Sequence, residues 1–183
     1  RTLLRIPEPQ TVSLMFGNAV HRTLKAFFDA WGNKVDMSRD LLIKRFESEL
    51  NRESFTDKEF VKGKEEGIKA LGGYYDFWYP DWSREIKNEF SVDVLFLVND
   101  FPLRLTGKID KLEFLKDSQV SVIDYKTGKP KTRNHIEGYT ASEGAGDYKR
   151  QLVFYKILLD FYNSSTPIDR RFYMQTGVID FVE

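Results

Sequence analysis

The chain has 183 residues, and its 28 Lys and Arg balance 28 Asp and Glu, so the formal net charge is zero. That length suits one domain with a real core, and the even charge excludes a wholesale basic surface, leaving any polyanion contact to a local patch. Cysteine is absent, which excludes disulfides, zinc fingers, Cys nucleophiles and cysteine-ligated iron–sulfur clusters.

After an extended lead-in holding Pro7 and Pro9, apolar residues fall at Val20, Leu24, Phe27, Phe28 and Trp31. Offsets of four, seven, eight and eleven predict an amphipathic helix over about 14–31, ended by Gly32-Asn33. Ser38 is placed to cap a second helix carrying Leu41, Leu42, Phe46 and Leu50. A third runs from about Asp57 towards Tyr79, weakened by Gly63, Gly67, Gly72 and Gly73 and stopped by Pro80. The period then changes to alternation. Phe90, Val92, Val94 and Phe96 share one strand face, opposite Glu89, Ser91 and Asp93. Leu103, Leu105, Gly107 and Ile109 line the core side of the next strand, with Lys108 and Asp110 opposite. A third strand over Val120 to Lys126 completes an antiparallel meander. A loop rich in Gly, Thr and Lys follows, then a helix over about 147–162 and a last strand around 171–176. Helices followed by strands and one more helix predict an α+β or mixed α/β domain.

The chemistry gathers at three residues. Asp124 and Lys126 leave the same strand face, and Asp110 sits on the polar face of the preceding strand, where pairing could bring it beside Asp124. Neighbouring carboxylates repel unless a cation joins them, and hard ions such as Mg²⁺ or Mn²⁺ suit oxygen ligands. Such an ion polarises a phosphodiester and lowers the pKa of bound water; Lys126 would orient that water or stabilise charge on the phosphate. An isolated Asp-x-Lys is more often an ordinary solvated hairpin. Here the strand around it, Val122-Ile123-Asp124-Tyr125-Lys126, is core-like, where charge is costly unless employed.

Four separated motifs carry a resemblance. Gly17-Asn18-Ala19-Val20-His21, Gly107-Lys108-Ile109-Asp110, Asp124-Tyr125-Lys126-Thr127-Gly128 and Gln151-x-x-x-Tyr155 resemble, in order, the motifs of the RecB-like nucleases. These belong to the PD-(D/E)XK superfamily and often form the C-terminal domain of UvrD-like helicases. The resemblance implies a restriction-endonuclease-like core, with a mixed central sheet flanked by helices and an N-terminal helical part. It implies His21, Asp110, Asp124 and the Tyr125 backbone carbonyl as metal ligands. Asp110, Asp124 and Lys126 are then catalytic, and Gln151 and Tyr155 lie beside the DNA.

The residues themselves leave alternatives open. His21 lies in line with Leu24 and Phe28 and should face inward, where a lone His is more often a satisfied core residue than a ligand. Gln151 and Tyr155 are neighbours on one helix face and fit a core-edge Gln with a packed Tyr as well as a DNA contact. Glu89 fits a structural or solvated role as well as a site role. The run Lys126, Lys129, Lys131 and Arg133 is usually a solvated loop, but directly after the metal strand it is also where phosphates pass.

The expectation is therefore a single nuclease domain over 1–183, helical over 1–80, with a sheet core over 84–179. It is read as a piece of a longer chain. It would hydrolyse DNA, single-stranded or at a duplex end, with Mg²⁺ or Mn²⁺ and no iron–sulfur cluster, more as an exonuclease than as an endonuclease. A helicase motor in the same polypeptide or a partner subunit, and a role in DNA repair or recombination, complete the expectation. No apolar run approaches the ~20 residues that span a bilayer, so the expected location is cytoplasmic, nucleoid-associated if bacterial, without membrane contact. The alternative is a catalytically inactive DNA-binding or interaction domain of a helicase.

Overall fold

A computed structural model describes residues 11–182, apart from the side chain of Val98. The lead-in with Pro7 and Pro9 lies outside the described residues. Helix α1 spans Val12–Gly32, and the Thr11 hydroxyl caps it by accepting from the Leu14 N–H. Helix α2 spans Arg39–Leu50, with Ser38 as its cap. Helix α3 spans Asp57–Trp78 and opens with a capping box between Thr56 and Glu59, which satisfies two otherwise orphaned donors.

The glycines that weaken α3 as a sequence pattern have a packing reason. A Cβ on Gly67 would fall inside the Phe46 ring of α2, and one on Gly72 would meet the Arg39 guanidinium. The helix gives up propensity of about 1 kcal/mol per glycine and gains close contact with α2.

Strands β1 (Ile86–Val98), β2 (Phe101–Phe114) and β3 (Gln119–Lys126) follow. After a short helix α4 (Arg133–Glu137) and the long helix α5 (Asp147–Ser164), a single 3₁₀ turn leads into β4 (Tyr173–Phe181). The four strands form one sheet in the order β1-β2-β3-β4. The first three pair antiparallel, and β4 pairs parallel to β3. Helices cover both faces, so the fold is the expected mixed α/β arrangement. No helix among the described residues is long and apolar enough to cross a membrane.

The sheet separates two interiors. On one side Phe27, Phe28, Trp31, Phe46, Leu71 and Tyr74 of the first three helices pack on Ile123 and Tyr125 of β3. On the other, Tyr155, Leu158 and Leu159 of α5 pack on Phe90, Val92, Ile109, Leu112 and Val122.

The β1–β2 hairpin crosses from one interior to the other. Alternation would put residues 86, 88 and 90 on one face. Ile86 packs instead on the α1 side, where Asn88 also donates to Asp29 Oδ1 at 2.9 Å, whereas Phe90 and Val92 face α5. The phase changes at Glu89, whose φ is +53° and whose pairing is missing between Asn88↔Lys111 and Phe90↔Ile109. On β2, a Cβ at Gly107 would meet Leu158 of α5, while the Lys111 ammonium lies 4.0 Å over the Phe28 ring of α1. Positive φ is costly for a residue with a side chain, and here it moves both strands through half a turn.

Several boundaries differ from the sequence reading. The last strand begins later and runs longer, over Tyr173–Phe181. Leu103, expected on the core side, is 47% exposed, because the hairpin extends beyond the end of α5. Phe96, stacked on Phe161 at 4.3 Å between centroids, still reaches the helix there. Helix α4 falls within the stretch expected to be loop.

Candidate active site

Strand β3 carries the centre of the site. Its residues from Val120 to Tyr125 are buried, with Val122 facing α5 and Ile123 and Tyr125 facing the first three helices. Asp124 follows the Val122 face and meets α5 end on. Its side chain is 3% exposed.

Three side chains close on that carboxylate. Tyr155 donates its hydroxyl to Asp124 Oδ1 at 2.7 Å, and Gln151 donates its amide to the same oxygen at 2.9 Å. The Gln151 amide also reaches the Tyr155 hydroxyl at 2.9 Å. The Lys126 ammonium lies 2.6 Å from Asp124 Oδ2 and donates to Gln151 Oε1 at 2.9 Å. A two-residue step on β3 and a four-residue step on α5 bring these groups together. Burial and the Asp124 charge, followed by the hydrogen bond to Asp124, push the Tyr155 hydroxyl far above its ordinary pKa, so it remains a donor.

Asp110 stands at the hairpin crossing. The β2–β3 ladder reaches Lys111↔Ile123 and stops; one step further, Asp110 would oppose Asp124. Instead its Oδ2 accepts the Tyr125 backbone N–H at 2.9 Å, so a carboxylate replaces a ladder carbonyl. His21, on the inward side of α1, brings its Nδ1 to 3.5 Å from the same oxygen. Burial opposes charge on His21, but the hydrogen bond and charge of Asp110, with Asp124 behind it, outweigh burial and raise its pKa.

His21 and Asp110 line a cleft of about 410 Å³ with Asn18, Glu89, Lys108 and Thr127. Glu89 is therefore in the site wall, ion-paired to Lys108. Lys108 was legible only as the residue sharing Asp110's polar face. Arg133 is ion-paired to Glu137 at 2.6 Å, and Lys129 and Lys131 are exposed on the segment after β3.

Behind the cleft, Lys111 is 1% exposed, held by Glu113 at 2.9 Å. Burial lowers its pKa against the pull of Glu113. The Tyr125 ring stacks on Phe28 beside it, so β3 is braced from the side opposite Asp124.

The donors suit a hard divalent ion in kind. Asp124 Oδ2 is buried and accepts no hydrogen bond of acceptable angle despite the ammonium beside it, and a buried oxygen in that state calls for a partner. Among the described residues no three His, Asp or Glu side chains converge into a ready-made cage. The His21–Asp110 contact at 3.5 Å and the Asp124–Lys126 pair at 2.6 Å are joined through residue 125, whose N–H Asp110 accepts.

A search of curated proteins found no match to the chain. Comparison with protein families did: residues 1–176 match the PD-(D/E)XK nuclease superfamily. With a mixed sheet between two helical layers and the Asp-x-Lys strand at its centre, the chain belongs to that superfamily.

Proposed function

We propose that this domain is a metal-dependent deoxyribonuclease of the RecB-like branch, working as an exonuclease coupled to a helicase in DNA repair or recombination in the cytoplasm. The observation that carries the reading is the buried Asp124 with Lys126, Gln151 and Tyr155 closed around it and Asp110 one register step away. Burying the Asp124 carboxylate beside a half-buried ammonium costs more than a surface pair returns, and a site that uses both gives a reason for that cost.

His21, Asp110, Asp124 and the Tyr125 carbonyl would hold Mg²⁺ or Mn²⁺. Such an ion polarises the phosphodiester and lowers the pKa of the water it carries. Gln151 and Tyr155 fix the orientation of Asp124, and the Tyr125 N–H fixes that of Asp110. Lys126, drawn away from Asp124 by the phosphate, faces the charge that develops there. Lys129, Lys131 and Arg133 follow the strand backbone beyond the site, Arg133 by exchanging Glu137 for phosphate.

The test is cleavage of end-labelled single-stranded DNA with Mn²⁺, with Asp124→Ala alongside and both proteins checked by thermal melting. Product from the wild type and none from a folded variant supports the nuclease; equal product from both overturns the assignment of Asp124. The closed Asp124–Lys126 pair favours a second reading, a DNA-binding domain without catalysis. Binding with no turnover by folded wild type, under Mg²⁺ or Mn²⁺, would establish it.

A further inference from the structure

A second cleft of about 480 Å³ opens beside the first, between the start of α1 and the flank of α3. Its floor is apolar, made by Phe16 of α1 and Phe55 before α3, both partly buried against the helical interior, with the exposed Val12 at the rim. The Phe16 ring is held edge-on against Phe46 at 6.0 Å. Gly63 and Gly128 add no side chain to the walls, and among the described residues nothing lies within 4 Å of where a Cβ on Gly128 would sit. The rest of the rim is polar: Glu59 accepts from Thr56 and Glu66 faces Lys62 at 3.8 Å, which leaves it one net negative charge.

The two clefts share a ridge. Ser13 and Thr127 line both, and Thr127 directly follows Lys126. A strand running from the first cleft across this ridge would bring its sugar and phosphate to the two hydroxyls, with the aromatic floor to one side. Phosphate has no affinity for such a floor; a nucleobase does, because every base offers a π-face to an aromatic ring.

Resting on the nuclease reading, we infer that this second cleft is a base subsite: it takes one unstacked nucleobase adjacent to the scissile phosphate. The substrate class is then a single strand, or a duplex end opened by at least one nucleotide, because a paired base cannot turn into the cleft. The subsite reads ring stacking without choosing among the four bases.

Abasic scanning tests it. A set of single-stranded oligonucleotides, each with one abasic site at a different distance from the cut, is cleaved with Mn²⁺ by the wild type, Phe55→Ala and Val12→Trp. The wild type is expected to slow about tenfold at one position, the loss of one base stack, and to be indifferent elsewhere. Phe55→Ala removes the floor, and Val12→Trp fills the cleft from its exposed rim without touching the core, so that one folded variant is secured. Each should cut intact DNA at the slow abasic rate and lose the position dependence. A flat scan from a wild type that cleaves normally overturns the subsite while leaving the nuclease standing. So does a position effect that persists in both folded variants. Absence of cleavage by the wild type overturns the nuclease reading, and the subsite with it.

Discussion

Tyr155 on α5 and Asp124 on β3 are joined by a 2.7 Å hydrogen bond, and Gln151 holds the same carboxylate oxygen at 2.9 Å. Two donors from one helix therefore set the angle at which the carboxylate leaves its strand. Removing the hydroxyl in Tyr155→Phe keeps the ring and its packing but releases one of them. Hydrogen bonds to charged groups contribute about 1.5–3 kcal/mol, so cleavage should fall about tenfold to a hundredfold and the melting temperature by about 3–12 °C. Unchanged turnover in Tyr155→Phe would show that Gln151 alone suffices.

Metal binding is readable without turnover. A ligand at a hundred times its Kd stabilises the folded state by about 2.7 kcal/mol, which for a domain of this size raises Tm by about 5–10 °C. Mn²⁺ is expected to shift the wild type by that amount and to leave Asp110→Ala and Asp124→Ala unmoved. A shift equal to the wild type's in both variants would place the ion elsewhere.

Glu49 makes acid stability testable away from the site. It is 2% exposed and meets Arg22 at 2.8 Å, Arg45 at 2.7 Å and Arg52 at 3.0 Å, tying α1 to α2. Burial pushes its carboxyl up, but the three guanidiniums outweigh burial and hold it below the usual range. A folded pKa below the unfolded one gives stability that is full above about pH 4.3 and is lost as pH falls through the folded value. Denaturant melts of the wild type and Glu49→Gln should therefore converge as pH falls from 5 to 3. Near pH 7 the variant should be about 1–3 kcal/mol weaker, the cost of leaving buried partners imperfectly matched. A constant gap across that range would rule out the linkage.

Gly67 opposes helix propensity to packing. In an open helix Gly67→Ala would gain about 1 kcal/mol; here the new methyl meets the Phe46 ring, which is fully buried. Overpacking of that kind costs about 1–3 kcal/mol, so a net loss is expected in urea melts. Adding Phe46→Leu should recover part of it. A Gly67→Ala protein more stable than the wild type would mean that α2 can slide away at little cost.

Much of this was legible in the sequence because it is local. Ser38 announced its helix by being a cap, the 3.6-residue stripe announced α1, and Asp124-x-Lys126 with Gln151-x-x-x-Tyr155 are fixed by the geometry of one strand and one helix. The glycines of α3 misled in degree, because their reason lies across the interface in Phe46 and Arg39. Helix α4 is too short to have a period. Glu89, already a candidate, and Lys108 line the cleft at the crossing, which strict alternation has no means of announcing. Nor could it foresee that Asp110 takes the Tyr125 N–H in place of a ladder bond.

The half turn at Glu89 lets one hairpin serve both interiors. Its base turns Ile86 towards α1, its middle turns Phe90 and Val92 towards α5, and its tip, with Leu95, Leu97 and Phe101, stands in solvent. Asp110 lies at the seam where the first two meet, which is why a carboxylate is free to take the Tyr125 N–H there.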